Sequence, residues 1–201
     1  MGKRGKPISL AEFLASSTSS SSSPSSSSGS SGSGPSSTLL GLLAQQYGSI
    51  PGPTRATLDK AAEISLLLRD KWNVDTSKAG IVGVAQTAGS AFHVAFSPDL
   101  QTAVTVRKVS LVGVTMHTAV AQEIVENVTF NKGCAEKKLM SAAVTSGLTF
   151  TSYAVVEYPL RSDPKLLASH MNVGSSSGGS FYGPCDSCKG VYGKVMALKK
   201  M

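Results

Sequence analysis

Charge is scarce in this chain: Asp, Glu, Lys and Arg make up only 15% of its 201 residues. Aromatic residues are scarcer still, at 6%. That disfavours base-stacking modules of the RRM or OB type, which need aromatic side chains on a sheet surface. The three cysteines, Cys134, Cys185 and Cys188, are too few and odd in number for a secreted disulfide framework. No apolar run approaches the roughly 18 residues of a membrane span. The first residues lack the apolar core of a secretory signal, since "MGKRGK" leads into the short, polar "PISLAEFLASS". No Walker loop, strand-borne GxGxxG, HExxH or GxSxG occurs. These absences point to a reducing, intracellular protein with no secretion route and no membrane span.

What is present is basic and partly low in complexity. The formal net charge is +7, and from Leu39 onward Lys and Arg number 16 against 11 Asp and Glu. A basic domain favours an anionic partner, either nucleic acid or an acidic membrane surface. Residues 16–37 contain 16 serines among 22 positions, the rest being Gly, Pro and one Thr. Such a stretch cannot bury enough apolar area to offset its ordering entropy, about 1–2 kcal/mol per residue. It reads as a flexible tether with a typical reach of about 25 Å. Residues 1–38 are therefore expected to be a disordered basic head and tether. Residues 39–201 are expected to form one domain, with a flexible link near 174–180.

The periodicity of the rest predicts an α+β fold: a largely antiparallel sheet with several short helices. Residues 54–72 read as a helix capped by Thr54 or Thr57, with Leu58, Ala61, Ile64, Leu68 and Trp72 inward. "AGIVGVAQ" and "AFHVAFS" read as strands, and "SPDL" as a hairpin turn into a third strand over 101–114. The uncertain phase of that third run near Lys108 and Val109 suggests a bulge or a change of partner strand. Residues 115–127 and 135–144 read as helices, 148–160 as a strand, 163–171 as a short helix and 190–198 as a last strand.

Candidate chemistry is sparse. Cys185-Asp-Ser-Cys188 is a lone CxxC. A structural zinc needs four ligands; Cys134 and His170 could complete a set, but neither has a second ligand at short spacing. The expectation is two ordinary thiols in a turn, with no metal and no cofactor. His93, His117 and His170 each stand alone and read as structural. A nucleophilic pair of Cys134 with His117 has no supporting motif. No catalytic residue, and no enzyme, is expected. Contacts to nucleic acid or membrane are expected at Lys3, Arg4 and Lys6 in the head, at the paired basics Arg107-Lys108 and Lys137-Lys138, and at Lys199 and Lys200.

The basic head "MGKRGK", the serine tract and the run "TVRKVSLVGVTMHTAVAQEIVEN" together give a layout that resembles matrix proteins of rhabdoviruses. The PPxY and P[ST]AP motifs of some animal-virus members are absent. The resemblance implies a non-enzymatic, self-associating assembly protein bridging a viral nucleocapsid and an acidic membrane, in the host cytoplasm or nucleus and in the virion. The alternatives are an RNA-binding coat protein and a small regulatory RNA-binding or host-interaction protein.

Overall fold

The computed structural model describes residues 8–9, 44–77, 79–122, 124, 133–159, 180–181 and 183–198. Their order is β1 (Ile8–Ser9), α1 (Arg55–Asp70), β2 (Gly80–Thr87), β3 (Phe92–Phe96), α2 (Pro98–Val106), β4 (Val114–His117), α3 (Ala135–Thr145), β5 (Phe150–Tyr158), β6 (Ser180–Phe181) and α4 (Asp186–Leu198). The α+β class stands. The sheet runs β1-β6-β5-β2-β3-β4. It is mixed: β2 is antiparallel to both β3 and β5, whereas β4 lies parallel to β3. The chain reaches β4 only by crossing over through α2, which is what a parallel neighbour requires.

α1 forms as its spacing predicts. Thr54 and Thr57 make a reciprocal capping box, and Leu58, Ala61, Ile64 and Leu68 are buried. Thr57 Oγ1 and Ser152 Oγ lie 2.8 Å apart, fixing α1 on β5. On β2 the residues pairing with Tyr153 and Val155 are Ala85 and Gly83. A Cβ on Gly83 would sit 3.0 Å from Ala135 Cβ, so this opposite face carries α3. The Tyr153 and Tyr192 rings meet edge-on at 6.3 Å, which places α4 on the same side. The sheet is thus covered by α1 on one face and by α3 with α4 on the other.

Three expectations are corrected. The run 101–114 is not one strand. "SPDLQTAVTV" is α2, with Pro98 at its first turn after Ser97 and with Leu100 and Val104 buried four residues apart. The alternation of Val104 and Val106 imitated a strand period, but Val106 is exposed. Second, the start of 115–127 is strand β4 rather than helix and residues 118–121 are irregular, whereas Gln122 and Ile124 are helical with Ile124 buried as expected; 123 and 125–132 lie outside the described residues. Third, 190–198 belongs to helix α4, although Gly190 and Gly193 weaken its helical signal. The head is also not wholly unpaired, because Ile8 and Ser9 pair with Phe181 and Ser180. The tether (10–38), the helix expected at 163–171 and most of the 174–180 link lie outside the described residues.

Candidate functional site: three buried cysteines beside a buried glutamate

α3 has the composition of a good helix, with Ala, Glu, Lys, Leu and Met leading. Its burial is unusual: every residue from Ala135 to Ala143 is buried, including Glu136, Lys137 and Lys138. Its N-cap is Cys134, whose thiol makes no capping bond. Gly133 precedes it because α2 passes close by; a Cβ there would lie 2.7 Å from Pro98 Cγ. The CxxC opens α4: the Cys188 and Lys189 amides both donate to the Cys185 carbonyl, at 2.9 and 3.0 Å. Gly183 lets this entry run against residue 46, where a Cβ would meet Gln46 Cβ at 2.6 Å.

These two helix starts meet. Cys134 Sγ lies 4.0 Å from Cys185 Sγ, and Cys185 Sγ lies 3.4 Å from Cys188 Sγ. All three sulfurs are within 4.8 Å of one another and all three residues are buried. Thiolates sharing one zinc at about 2.3 Å in tetrahedral geometry are about 3.8 Å apart. The observed separations bracket that value. The donor set therefore fits a soft divalent ion, and Cys134, Cys185 and Cys188 would hold it. The expected "two ordinary thiols in a turn" is corrected accordingly, because the CxxC starts a helix and Cys134 joins it from α3. His170 lies outside the described residues. Among the described residues no further His, Cys, Asp or Glu belongs to the group.

The charges around the sulfurs suit such an ion. In the metal-free protein, the sulfur contact with Cys185 pushes the Cys134 thiol up to about 12, burial and the nearby Glu136 carboxylate adding to the rise. The Cys188 thiol is pushed up as well, by its contacts with Cys134 and Cys185 and then by burial and Glu136. Glu136 is only 1% exposed, lies two residues after Cys134 on α3, and its charge adds to the rise at both sulfurs. Lys137 Nζ donates to Ser187 Oγ at 2.8 Å, joining α3 to the CxxC turn. Lys138 Nζ donates to the Phe96 carbonyl at 2.6 Å, joining α3 to β3. Burial lowers the Lys138 pKa, and the neighbouring Cys134 opposes that shift. Formally, three thiolates with Glu136 are balanced by the two lysines and one divalent cation. Buried charge is tolerated only when so compensated.

Lys137 and Lys138 are therefore not the surface contacts expected of them; their side chains are spent inside the protein. Arg107 and Lys108 are exposed at the end of α2. Lys3, Arg4, Lys6, Lys199 and Lys200 lie outside the described residues.

A groove of about 280 Å³ lies between residues 116–121 and α3, lined by His117, Thr118 and Ala121 on one side and Lys138, Ser141 and Thr145 on the other. His117 does not pair with Cys134. Its Nε2 lies 2.8 Å from His93 Nδ1, with the rings stacked at 5.1 Å. One of the two must be neutral to accept, and burial lowers the pKa of each, His93 adding to the effect at His117. Both folded values thus lie below the ordinary 6.5. The stability from this neutral pair is fully present above about pH 6.5 and is lost as the pH falls through the lowered values. Urea midpoints measured from pH 8 to pH 5 should hold level and then decline below about 6.5. His117→Asn should flatten the part of that decline above pH 5, before carboxylates titrate; an unchanged slope would remove the pair from the account.

No family model, no curated protein and no solved structure matches this chain.

The sequence reading missed Glu136. The signal was a carboxylate two residues after Cys134, coupled to a proline, Pro184, directly before the CxxC. Searching for two short ligand pairs hid a site made of one single and one pair.

Proposed function

We propose that the cluster is a zinc-dependent hydrolytic centre of the nucleobase-deaminase type. The observation that carries this is three convergent buried thiols with a buried glutamate two residues after the first, on the pattern Cys134-x-Glu136 and Pro184-Cys185-x-x-Cys188. Zinc deaminases use three such protein ligands, His or Cys then Cys and Cys, with a glutamate that carries protons without binding the metal. The three thiols that converge among the described residues leave a tetrahedral position open, as catalytic zinc requires and structural zinc does not. The ion would supply Lewis-acid activation of a water molecule.

The protein's own groups have separable tasks. Cys134, Cys185 and Cys188 hold the ion. Lys137 and Lys138 offset the thiolate charge, and Lys137 also fixes the CxxC turn through Ser187. Glu136 accepts one proton from the attacking water and passes it to the ring nitrogen, then takes the second from the added hydroxyl and passes it to the departing amine. Water adds at the amine-bearing carbon, the carbon–nitrogen bond breaks, and ammonia leaves. The reading departs from the expectation of a non-enzymatic protein, which rested on finding no motif.

The test uses the full chain loaded with zinc. Cytidine, adenosine and single-stranded oligonucleotides containing cytosine or adenine would be incubated with it, and ammonia and the deaminated base measured. Hydrolysis of at least one is expected. A protein that holds one zinc per chain yet releases no ammonia from any of them would sink the reading.

A second reading keeps part of the matrix-like expectation. The exposed Arg107 and Lys108 favour contact with an anionic surface, independently of the cluster. Among the described residues no helix is long and apolar enough to cross a membrane.

A further inference from the structure

We propose that the turn between α2 and β4, residues 106–113, docks on an anionic lipid bilayer. The inference stands apart from the zinc reading and uses none of its residues. Among the described residues, the large hydrophobic side chains left exposed are Val106, at 74%, and Val112, at 94%. Both lie on this one turn, and between them stand the exposed basics Arg107 and Lys108. Apolar tips interleaved with cations are the combination that enters the headgroup region of an acidic membrane.

The turn is built rather than loose. The amides of Arg107, Lys108 and Val109 donate to Ala103, Thr105 and Val104 at 3.1, 3.0 and 3.1 Å. Lys108 takes a left-handed φ of 52°, and Gly113 takes one of 73°. Val104 and Val109 are buried beneath and anchor it. These bonds fix the backbone of the turn at 107–109 before any partner is met. Asp75 and Asp99 share a shallow groove with Val106 and Arg107. Lys108 and Val112 are not part of that groove's lining.

A lipid surface is favoured over nucleic acid by the valines. Phosphate contacts need only the cations, and base contacts would call for aromatic or hydrogen-bonding groups that the turn lacks. Two exposed valines around two cations add an apolar contribution that a lipid surface can meet and a phosphate backbone cannot.

The test is flotation of the full chain with vesicles of phosphatidylcholine alone and of phosphatidylcholine with phosphatidylserine, at low and high salt. Binding is expected only with the acidic vesicles, and weaker at high salt. Arg107→Gln with Lys108→Gln should weaken it about fivefold per charge. Val106→Ser with Val112→Ser should weaken it about tenfold while every charge is retained. Both valines are exposed, so that variant should melt at the parent temperature. Binding that ignores the valine changes, or that occurs with a single-stranded oligonucleotide and not with acidic vesicles, would overturn the proposal.

Discussion

Glu136→Gln is expected to slow the proposed hydrolysis by about 10²–10⁴-fold, the usual contribution of a positioned acid–base group. It is expected to leave one zinc per chain in place. The two outcomes follow from different features of the same residue. Glutamine keeps the shape of a side chain that is only 1% exposed, so packing around α3 is preserved. It cannot accept a proton from water, so the proton-transfer steps lose their carrier. Because Cys134, Cys185 and Cys188 converge without it, the metal should stay. The loss should fall on kcat rather than KM, as expected when an interaction is made only in the transition state. Metal content by mass spectrometry and single-turnover rates on the same preparation would decide. Loss of zinc together with activity would make Glu136 the fourth ligand. The site would then be closed and structural, and the hydrolytic reading would fail.

Much of the scaffold was legible in the residues. Leu58, Ala61, Ile64 and Leu68 repeat at helical spacing and are the buried face of α1. The apolar runs at β2 and β3 pair as a hairpin. Legibility failed where two periods overlapped. Residues 98–106 hold both an alternating Val104/Val106 pattern and a Leu100/Val104 pair four apart. The second prevails because Pro98 opens a helix readily and Val104 has a core to enter. It failed again at Lys137-Lys138, since adjacent lysines on a helix ordinarily face water. Here α3 is enclosed by the sheet, α4 and residues 116–121, and the two ammonium groups find Ser187 and Phe96 inside. The site itself is non-local: Cys134 and Cys185 are 51 residues apart. Their sequence spacing carries no trace of contact. Only the placement of α3 and α4 on one face of the sheet brings them together.

Stripping the metal should lower the melting temperature by about 6–20 °C. The range follows from about 3–5 kcal/mol for a buried charge set that loses its counter-charge, at about 2–4 °C per kcal/mol for a chain of this size. Without a cation the thiols take up protons, and Lys137 and Lys138 are left against Glu136 with one formal positive charge in excess. The metal-free protein should also acquire a distinct pH dependence. The Cys134 and Cys188 thiols are raised above the ordinary 9.0, Cys134 to about 12. Their contribution to stability is therefore intact below about pH 9 and is lost as the pH climbs through the raised values. Metal binding runs the other way, since each incoming ion must displace thiol protons and binds less tightly as the pH falls. Melts with a strong chelator, then with zinc restored, at pH 7 and pH 9.5, would separate the two. Cys188→Ser should reproduce the chelated melt, and added zinc should not rescue it. If the chelator leaves the melting temperature unchanged in a preparation shown to have lost its zinc, the buried lysines are compensated without the ion, and the charge argument for a divalent cation collapses.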